Sequence, residues 1–311
     1  MPTYLIYDDI YLEHDTGMHP ESAERLRRTV GYLKKSNLWN KLTHIKPRAA
    51  TTDEIAYIHS PAYIKSVESV AKEGGGYLDP DTVLSSRSYE AALYAAGGVL
   101  TAIDKVMEAS IPHSANAFCL VRPPGHHARP NHGMGFCLFN NVAIGARYLQ
   151  KKHKLTRIAI IDWDLHHGNG TQEAFYNDET VLYISLHRYP YYPGSGSKSE
   201  AGDGKGKGFT LNFPMDYSAD RPEYFAAFDK AMEKLASFKP EFILISAGFD
   251  TYKDDPLGGL GLEVEDYAHL TKQVRDVAEK TCHGKIVSAL EGGYSLSGIP
   301  LCIETHLKAL L

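Results

Sequence analysis

Seven short runs of apolar, β-branched residues alternate with stretches of helical periodicity, and that alternation constrains this chain more than anything else in it. The runs cover residues 3–7, 117–121, 157–161, 181–186, 210–213, 242–246 and 285–290. Most are apolar nearly throughout rather than at every second position. A strand with one wet face alternates; a strand covered on both faces does not. Helical patterns lie between them, over 21–35, 88–109, 140–153, 222–238, 263–282 and 297–310. In the fifth, Val264, Tyr267, Ala268, Leu270, Val274 and Val277 recur at helical spacing. This alternation predicts an α/β fold with a central, mostly parallel β-sheet flanked by helices on both faces. No repeat, low-complexity tract or linker divides the chain, so residues 1–311 read as one domain. Residues 194–208, crowded with Gly, Ser, Lys and Glu, read as one long mobile surface loop.

Composition excludes several classes. The net charge of −5 offers no basic field for nucleic acid. The four cysteines, Cys119, Cys137, Cys282 and Cys302, lack the spacing of a disulfide framework or a thiolate zinc site. No signal-peptide pattern and no membrane-length apolar run is present, so the expectation is a cytoplasmic enzyme without a membrane partner. The 15 histidines point the other way, toward chemistry, because several sit beside Gly and Asp in loops where packing does not explain them.

The polar motifs follow the apolar runs, and open α/β sheets bind ligands at the carboxyl ends of their strands. After residue 121 comes Arg122-Pro123-Pro124-Gly125-His126-His127, two adjacent imidazoles on a stiff turn, suited to acid–base work. Gly133-Met134-Gly135-Phe136-Cys137 follows, where glycine permits close approach of backbone to ligand. The strongest motif is Asp162-Trp163-Asp164-Leu165-His166-His167-Gly168-Asn169-Gly170. Asp162, Asp164 and His166 occupy alternate positions and share one face of an extended chain. Carboxylates crowded at the end of a buried strand repel unless a cation neutralises them. Asp250, again just past an apolar run, offers a third ligand beside Asp164 and His166. Three protein ligands with an open position form the catalytic zinc pattern, although the oxygen-rich set also suits Fe(II), Co(II) or Mn(II). Glu291-Gly292-Gly293-Tyr294 closes the series and would deliver a phenol into a tight site.

Together, and in this order, these segments resemble the histone deacetylase family of the arginase/deacetylase superfamily. His19-Pro20-Glu21 with Arg25-Leu26 resembles the family's first loop, so the likeness spans nearly the whole chain. Asn169 and the Leu290-Glu291-Gly292-Gly293-Tyr294 form look closer to class II enzymes and their bacterial relatives, because class I has Asp at the former position. The resemblance implies one zinc per chain on Asp164, His166 and Asp250, and His126 and His127 as the tandem histidines. Asp162 would bond His126, Asn169 would face His127, and Tyr294 would donate to the substrate carbonyl. Phe136 and Tyr192 would wall the substrate channel, with Tyr where the family usually has Phe, and the Gly135 carbonyl would accept the substrate amide N–H. A potassium ion near Asp162, Ser185 and the main chain of Leu186 is implied by likeness alone. Polyamine-selective relatives place Glu at the position held here by Leu257.

The expected function is zinc-dependent deacylation, above all deacetylation, of the ε-amine of acyl-lysine in a protein or peptide. An acetylpolyamine amidohydrolase would run the same chemistry on a small acylated amine. Leu257 argues for lysine, although Glu13, Glu21, Asp254 or Asp255 would restore a negative charge if one reached the mouth. An arginase-like two-manganese site would need a further acid where Gly168 stands. A non-catalytic acyl-lysine binder would not need every catalytic group.

Overall fold

The structure is a computed structural model, and it describes residues 2–109 and 115–311. In chain order the elements are β1 (Thr3–Ile6), α1 (Ala23–Leu33), β2 (Thr43–Ile45), α2 (Thr52–Ile55), α3 (Pro61–Lys72), β3 (Gly75–Tyr77), β4 (Val83–Ser85), α4 (Ser88–Glu108) and β5 (Asn116–Cys119). They continue with α5 (Asn141–His153), β6 (Ile158–Asp162), α6 (Asn169–Phe175), β7 (Val181–Arg188), β8 (Thr210–Met215), α7 (Arg221–Phe238), β9 (Phe242–Ala247), α8 (Asp266–Cys282), β10 (Ile286–Leu290) and α9 (Ile299–Leu310). Eight strands form one sheet in the order β2-β1-β5-β10-β9-β6-β7-β8, with every pairing parallel. β3 and β4 make a separate antiparallel hairpin.

The central strands β5, β10, β9 and β6 are buried at every residue, which is why their sequences do not alternate. Each buried Ile, Leu, Val or Phe contributes roughly 1.5–3 kcal/mol of transfer free energy. Their ends are level: Cys119 pairs with Ala289, Ala289 with Ser246, and Ser246 with Asp162. Four chain segments therefore leave the sheet in one row, side by side.

All seven predicted strands and all six predicted helices are present, with ends shifted by up to three residues. The helix α3 is additional. It starts at a Ser60 side chain that accepts from the Tyr63 N–H, has proline in its first turn, and buries Tyr63, Ile64, Val67 and Ala71. α6 is also additional; its seven residues are too few for a periodic signal. No helix among the described residues is long and apolar enough to cross a membrane.

Candidate active site

The four central strand ends each deliver one part of the site. The turn after β5 carries His126 and His127, whose ring centroids lie 4.0 Å apart. His126 Nδ1 is 3.1 Å from Asp162 Oδ2, and His127 Nδ1 is 2.8 Å from Asn169 Oδ1. Because both partners present acceptors, each ring carries its proton on Nδ1 and leaves Nε2 as the other face. Their electrostatics diverge. Burial opposes charge on His126, but the carboxylates of Asp164 and Asp162 outweigh it and push that imidazole up to about 10. His127 is held well below the ordinary histidine range by burial and by its cationic neighbours His126 and His166. One imidazole is thus charged and its neighbour neutral.

Past β6, the backbone turns so that Asp164 and His166 meet Asp250 from the end of β9. His166 Nδ1 lies 3.1 Å from Asp164 Oδ1 and 3.0 Å from Asp250 Oδ2. The three donor atoms lie within 4.8 Å of one another. Backbone N–H groups aim the carboxylates: Leu165 N donates to Asp250 Oδ1 at 2.9 Å, His166 N to Asp164 Oδ1 at 2.9 Å, and Gly292 N to Asp164 Oδ2 at 2.7 Å. Both carboxylates are fully buried. Burial and the charge of Asp164 push Asp250 up, since two bare carboxylates do not both ionise so close together. A divalent cation resolves that conflict, and two carboxylate oxygens with one imidazole nitrogen make a fitting donor set for it. A second cluster, His126, Cys137 and Glu291, also has its polar atoms close together. Its atoms are committed elsewhere: the Cys137 thiol donates to the Gly135 carbonyl, and Glu291 accepts from backbone N–H groups.

The fourth part is the turn after β10. Gly292 has to be glycine, because a Cβ there would collide with the carboxylates of Asp250 and Asp164. Asp255 Oδ2 holds the turn by accepting from Tyr294 N at 2.6 Å and Ser295 N at 2.9 Å. The Arg25 guanidinium lies 4.9 Å from the Tyr294 ring centroid. Burial lifts the Tyr294 phenol well above its usual range, so it remains a protonated donor.

These groups open onto a cleft of about 230 Å³ lined by Asp81, His127, Gly135, Phe136, His166, Tyr191, Tyr192, Leu257 and Tyr294. Phe136 stands edge-on to Tyr294 at 5.8 Å and Tyr192 edge-on to His127 at 5.2 Å. Gly135 and Phe136 both have positive φ, 57° and 70°. A Cβ at Gly135 would run into the His127 ring, so only glycine lets this backbone pass the imidazole. A larger cavity of about 620 Å³ lies between β8 and α7, but its wall carries no comparable set of polar groups. The chemistry, not the volume, selects the smaller cleft.

Asp162 and Ser185 pair across β6 and β7, with Leu186 buried beside them. Ser185 Oγ lies 2.8 Å from His187 Nδ1, and Asp162 is bonded by His126, Tyr183 and the Asp164 N–H. Of the acids considered for the mouth, Glu21 is buried between Arg25 and Arg122, and Asp255 is spent on the Tyr294 turn. The acid that does line the mouth is Asp81, 3.2 Å from His19 Nε2. Nothing in the motif pattern marks it, since it sits in the turn of the β3–β4 hairpin. Tyr191 is a second such residue; its ring stacks on His166 at 5.6 Å. Its signal was adjacency to Tyr192 in a Tyr-Pro-Tyr-Tyr-Pro segment. The 194–208 segment is not the free loop its composition suggests. Glu200 accepts from Gly196 N, Ser197 N and Gln172 Nε2, and residues 204–206 form a short 3₁₀ turn.

Comparison with known proteins agrees with this architecture. The profile of the histone deacetylase domain matches residues 19–310. A probable deacetylase of Archaeoglobus fulgidus is 40% identical over 96% of this chain and 83% of its own length. The chloroplastic histone deacetylase 10 of Oryza sativa subsp. japonica is 38% identical over 96% of this chain and 71% of that one. The crystal structure of the HDA15 HD domain superposes with a TM-score of 0.93 at 34% identity, covering 99% of this chain and 89% of the other. The chain belongs to the histone deacetylase family, and the hydrolytic deacetylase chemistry of that family is what its four strand ends have to be explained by.

Proposed function

We propose that the protein is a zinc-dependent amidohydrolase that removes an acyl group, above all acetyl, from the ε-amine of lysine in a protein or peptide. The observation that carries this reading is the Asp164–His166–Asp250 donor set at the floor of a cleft walled by Phe136 and Tyr192 and flanked by His127 and Tyr294. Zinc held by those three residues would supply Lewis acidity toward the acyl oxygen and lower the pKa of a water. The protein's own groups do the rest. His127, neutral and anchored through Nδ1 on Asn169, presents Nε2 as the base. His126, held by the Nδ1 bond to Asp162, keeps its ring beside His127 and the reacting carbonyl. Tyr294 donates its phenolic hydrogen to the oxyanion. The Gly135 carbonyl, on the backbone that passes His127, would accept the substrate N–H.

Substrate choice turns on the mouth. Leu257 is apolar and suits the methylene chain of lysine. Asp81 favours the second reading, an acetylpolyamine substrate, because it sets a carboxylate on the same rim. His19 Nδ1 accepts from the Glu21 N–H, so its Nε2–H donates to Asp81 Oδ1 at 3.2 Å and engages that carboxylate, and the apolar Leu257 keeps lysine the preferred substrate. Purified protein should carry about one equivalent of zinc by elemental analysis. Asp250→Ala should lose both zinc and activity. Retention of the full equivalent in that variant would remove Asp250 from the ligand set. In a kinetic panel, acetyl-lysine peptides should give higher kcat/KM than acetylated polyamines, and Leu257→Glu should shift the ratio toward polyamines by about 1–3 kcal/mol. A wild-type preference for acetylpolyamines would overturn the lysine assignment.

A further inference from the structure

β10 lies between β5 and β9, and Glu291 follows its last residue. The Glu291 side chain is fully buried. Its Oε2 accepts from the backbone N–H of Gly125 at 2.7 Å and of His126 at 3.1 Å. Its Oε1 accepts from the Ser246 hydroxyl at 3.0 Å. The first two donors belong to the turn that carries the tandem histidines. The third lies on β9, four residues before Asp250. Glu291 itself stands three residues before Tyr294. From the other side, Arg25 Nη2 donates to the Glu291 carbonyl at 2.5 Å and Arg25 Nε to the Gly293 carbonyl at 2.7 Å.

This side chain touches none of the reacting groups, yet from the end of β10 it reaches the turn after β5 and the end of β9, three of the four strand ends that build the site. The turn of Arg122-Pro123-Pro124-Gly125 is stiff within itself, but stiffness does not fix where it sits against β10. The Gly125 carbonyl is used within the turn by Ala128 N, and the His126 carbonyl by Thr171 N on α6. Their N–H groups point to Glu291. Remove the acceptor and two buried donors lose their partner, which a displaced turn would relieve.

We propose that Glu291 is a positioning residue for deacylation. Its carboxylate ties the tandem-histidine turn to the Tyr294 turn and to the strand that leads to Asp250, so the proton-transferring imidazoles and the phenol keep one register. Its kinetic consequence rests on the amidohydrolase reading above; the tether itself does not.

Two substitutions separate acceptor geometry from bulk stability. Glu291→Gln keeps an oxygen for the two backbone N–H groups and turns an N–H toward the Ser246 hydroxyl. Glu291→Ala removes both. With zinc-loaded, folded protein, kcat for an acetyl-lysine peptide should stay within about threefold of wild type in Glu291→Gln and fall on the order of 10²-fold in Glu291→Ala, with KM changed by less than about twofold, because a misplacement of about 1 Å costs that much. Amide hydrogen exchange in the 122–128 segment should quicken in Glu291→Ala and not in Glu291→Gln. A purely structural role would lower the melting temperature and leave kcat per folded, metal-loaded molecule unchanged. Wild-type kcat and exchange in folded Glu291→Ala would overturn the proposal. So would Glu291→Gln being as slow as Glu291→Ala, since charge rather than acceptor geometry would then be responsible. If Glu291→Ala does not fold, Ser246→Ala removes one of the three bonds and should lower kcat by about threefold with faster exchange at 122–128; unchanged values there would equally overturn it. Exchange needs no turnover, so an inactive wild type would count against deacylation while the tether is judged on exchange alone.

Discussion

Tyr294 and His127 differ from ordinary surface residues in one respect that the proposed chemistry requires: water does not compete for them. Tyr294 is 8% exposed and His127 3% exposed. Burial keeps the phenol protonated and the imidazole neutral, which are the forms a donor and a base need. Tyr294→Phe removes one hydroxyl from a packed ring, so the fold should persist while kcat falls by roughly 10²–10³. Near wild-type turnover in that variant would show that the phenol is not the oxyanion donor. His127→Ala should keep its equivalent of zinc and lose about 10²–10⁴ in kcat, because the ring bonds Asn169 rather than a metal-ligand carboxylate. Loss of metal from His127→Ala would make the residue a ligand instead of a base. At this scale the motifs were informative. Adjacent His126 and His127, alternate Asp162, Asp164 and His166, and Gly292 before Tyr294 are short-range patterns, and a short stretch of backbone fixes the relative direction of their side chains.

The aromatic wall is an element-scale construction. Tyr191 and Tyr192 stand on a segment whose anchors are distant in sequence. His187 Nε2 meets the Gly196 carbonyl at 2.8 Å, and His167 Nδ1 meets Ser195 Oγ at 2.8 Å. Glu200 gathers Gly196 N, Ser197 N and Gln172 Nε2, and Asn212 Nδ2 reaches both Gln172 Oε1 and the Glu200 carbonyl. Composition alone read 194–208 as mobile because Gly and Ser carry no record of which partners will satisfy them. Glu200→Ala should loosen this wall and raise KM for acetyl-lysine peptides by about tenfold, the worth of one or two lost charge-assisted bonds, with a smaller effect on kcat. An unchanged KM would mean that the tyrosines hold their places without the network. α3 is the opposite case: Ser60, Pro61 and the spacing of Tyr63, Ile64, Val67 and Ala71 are local signals present in the sequence, yet the helix is not among those predicted from it.

Across the whole molecule, several histidines outside the cleft lining are buried with their neutral form favoured, and they set how the fold responds to acid. His59 Nδ1 donates to the Arg129 carbonyl at 3.0 Å, and its Nε2 accepts from Asn140 N at 2.8 Å. A second proton would point at that N–H. Burial pushes His59 down to about 4, His187 to about 4 and His306 to about 3. A histidine with a depressed folded pKa binds its proton more tightly when unfolded. Its contribution is therefore fully present above about 6.5 and is lost as pH falls toward the folded value. For His59 the loss by pH 5 is about 2 kcal/mol. The melting temperature of zinc-loaded protein should drop between pH 7.5 and pH 5, and His59→Gln should drop less. An equal drop in both would place the acid sensitivity elsewhere.

The sequence by itself determined the α/β class, the two-sided burial of the strands and the composition of the turns that carry the candidate site. Those are properties of periodicity and of neighbours within about ten residues, where backbone geometry does the specifying. The tertiary structure alone decided that β5, β10, β9 and β6 stand side by side with level ends, because strand order is a long-range choice that no local pattern encodes. It also decided which acid reaches the mouth. Glu21 and Asp255 were drawn inward by Arg122 and by the Tyr294 turn, while Asp81, unremarkable in the chain, was left on the rim. A carboxylate's address depends on the partner that offsets its desolvation, and that partner is supplied only when distant segments meet.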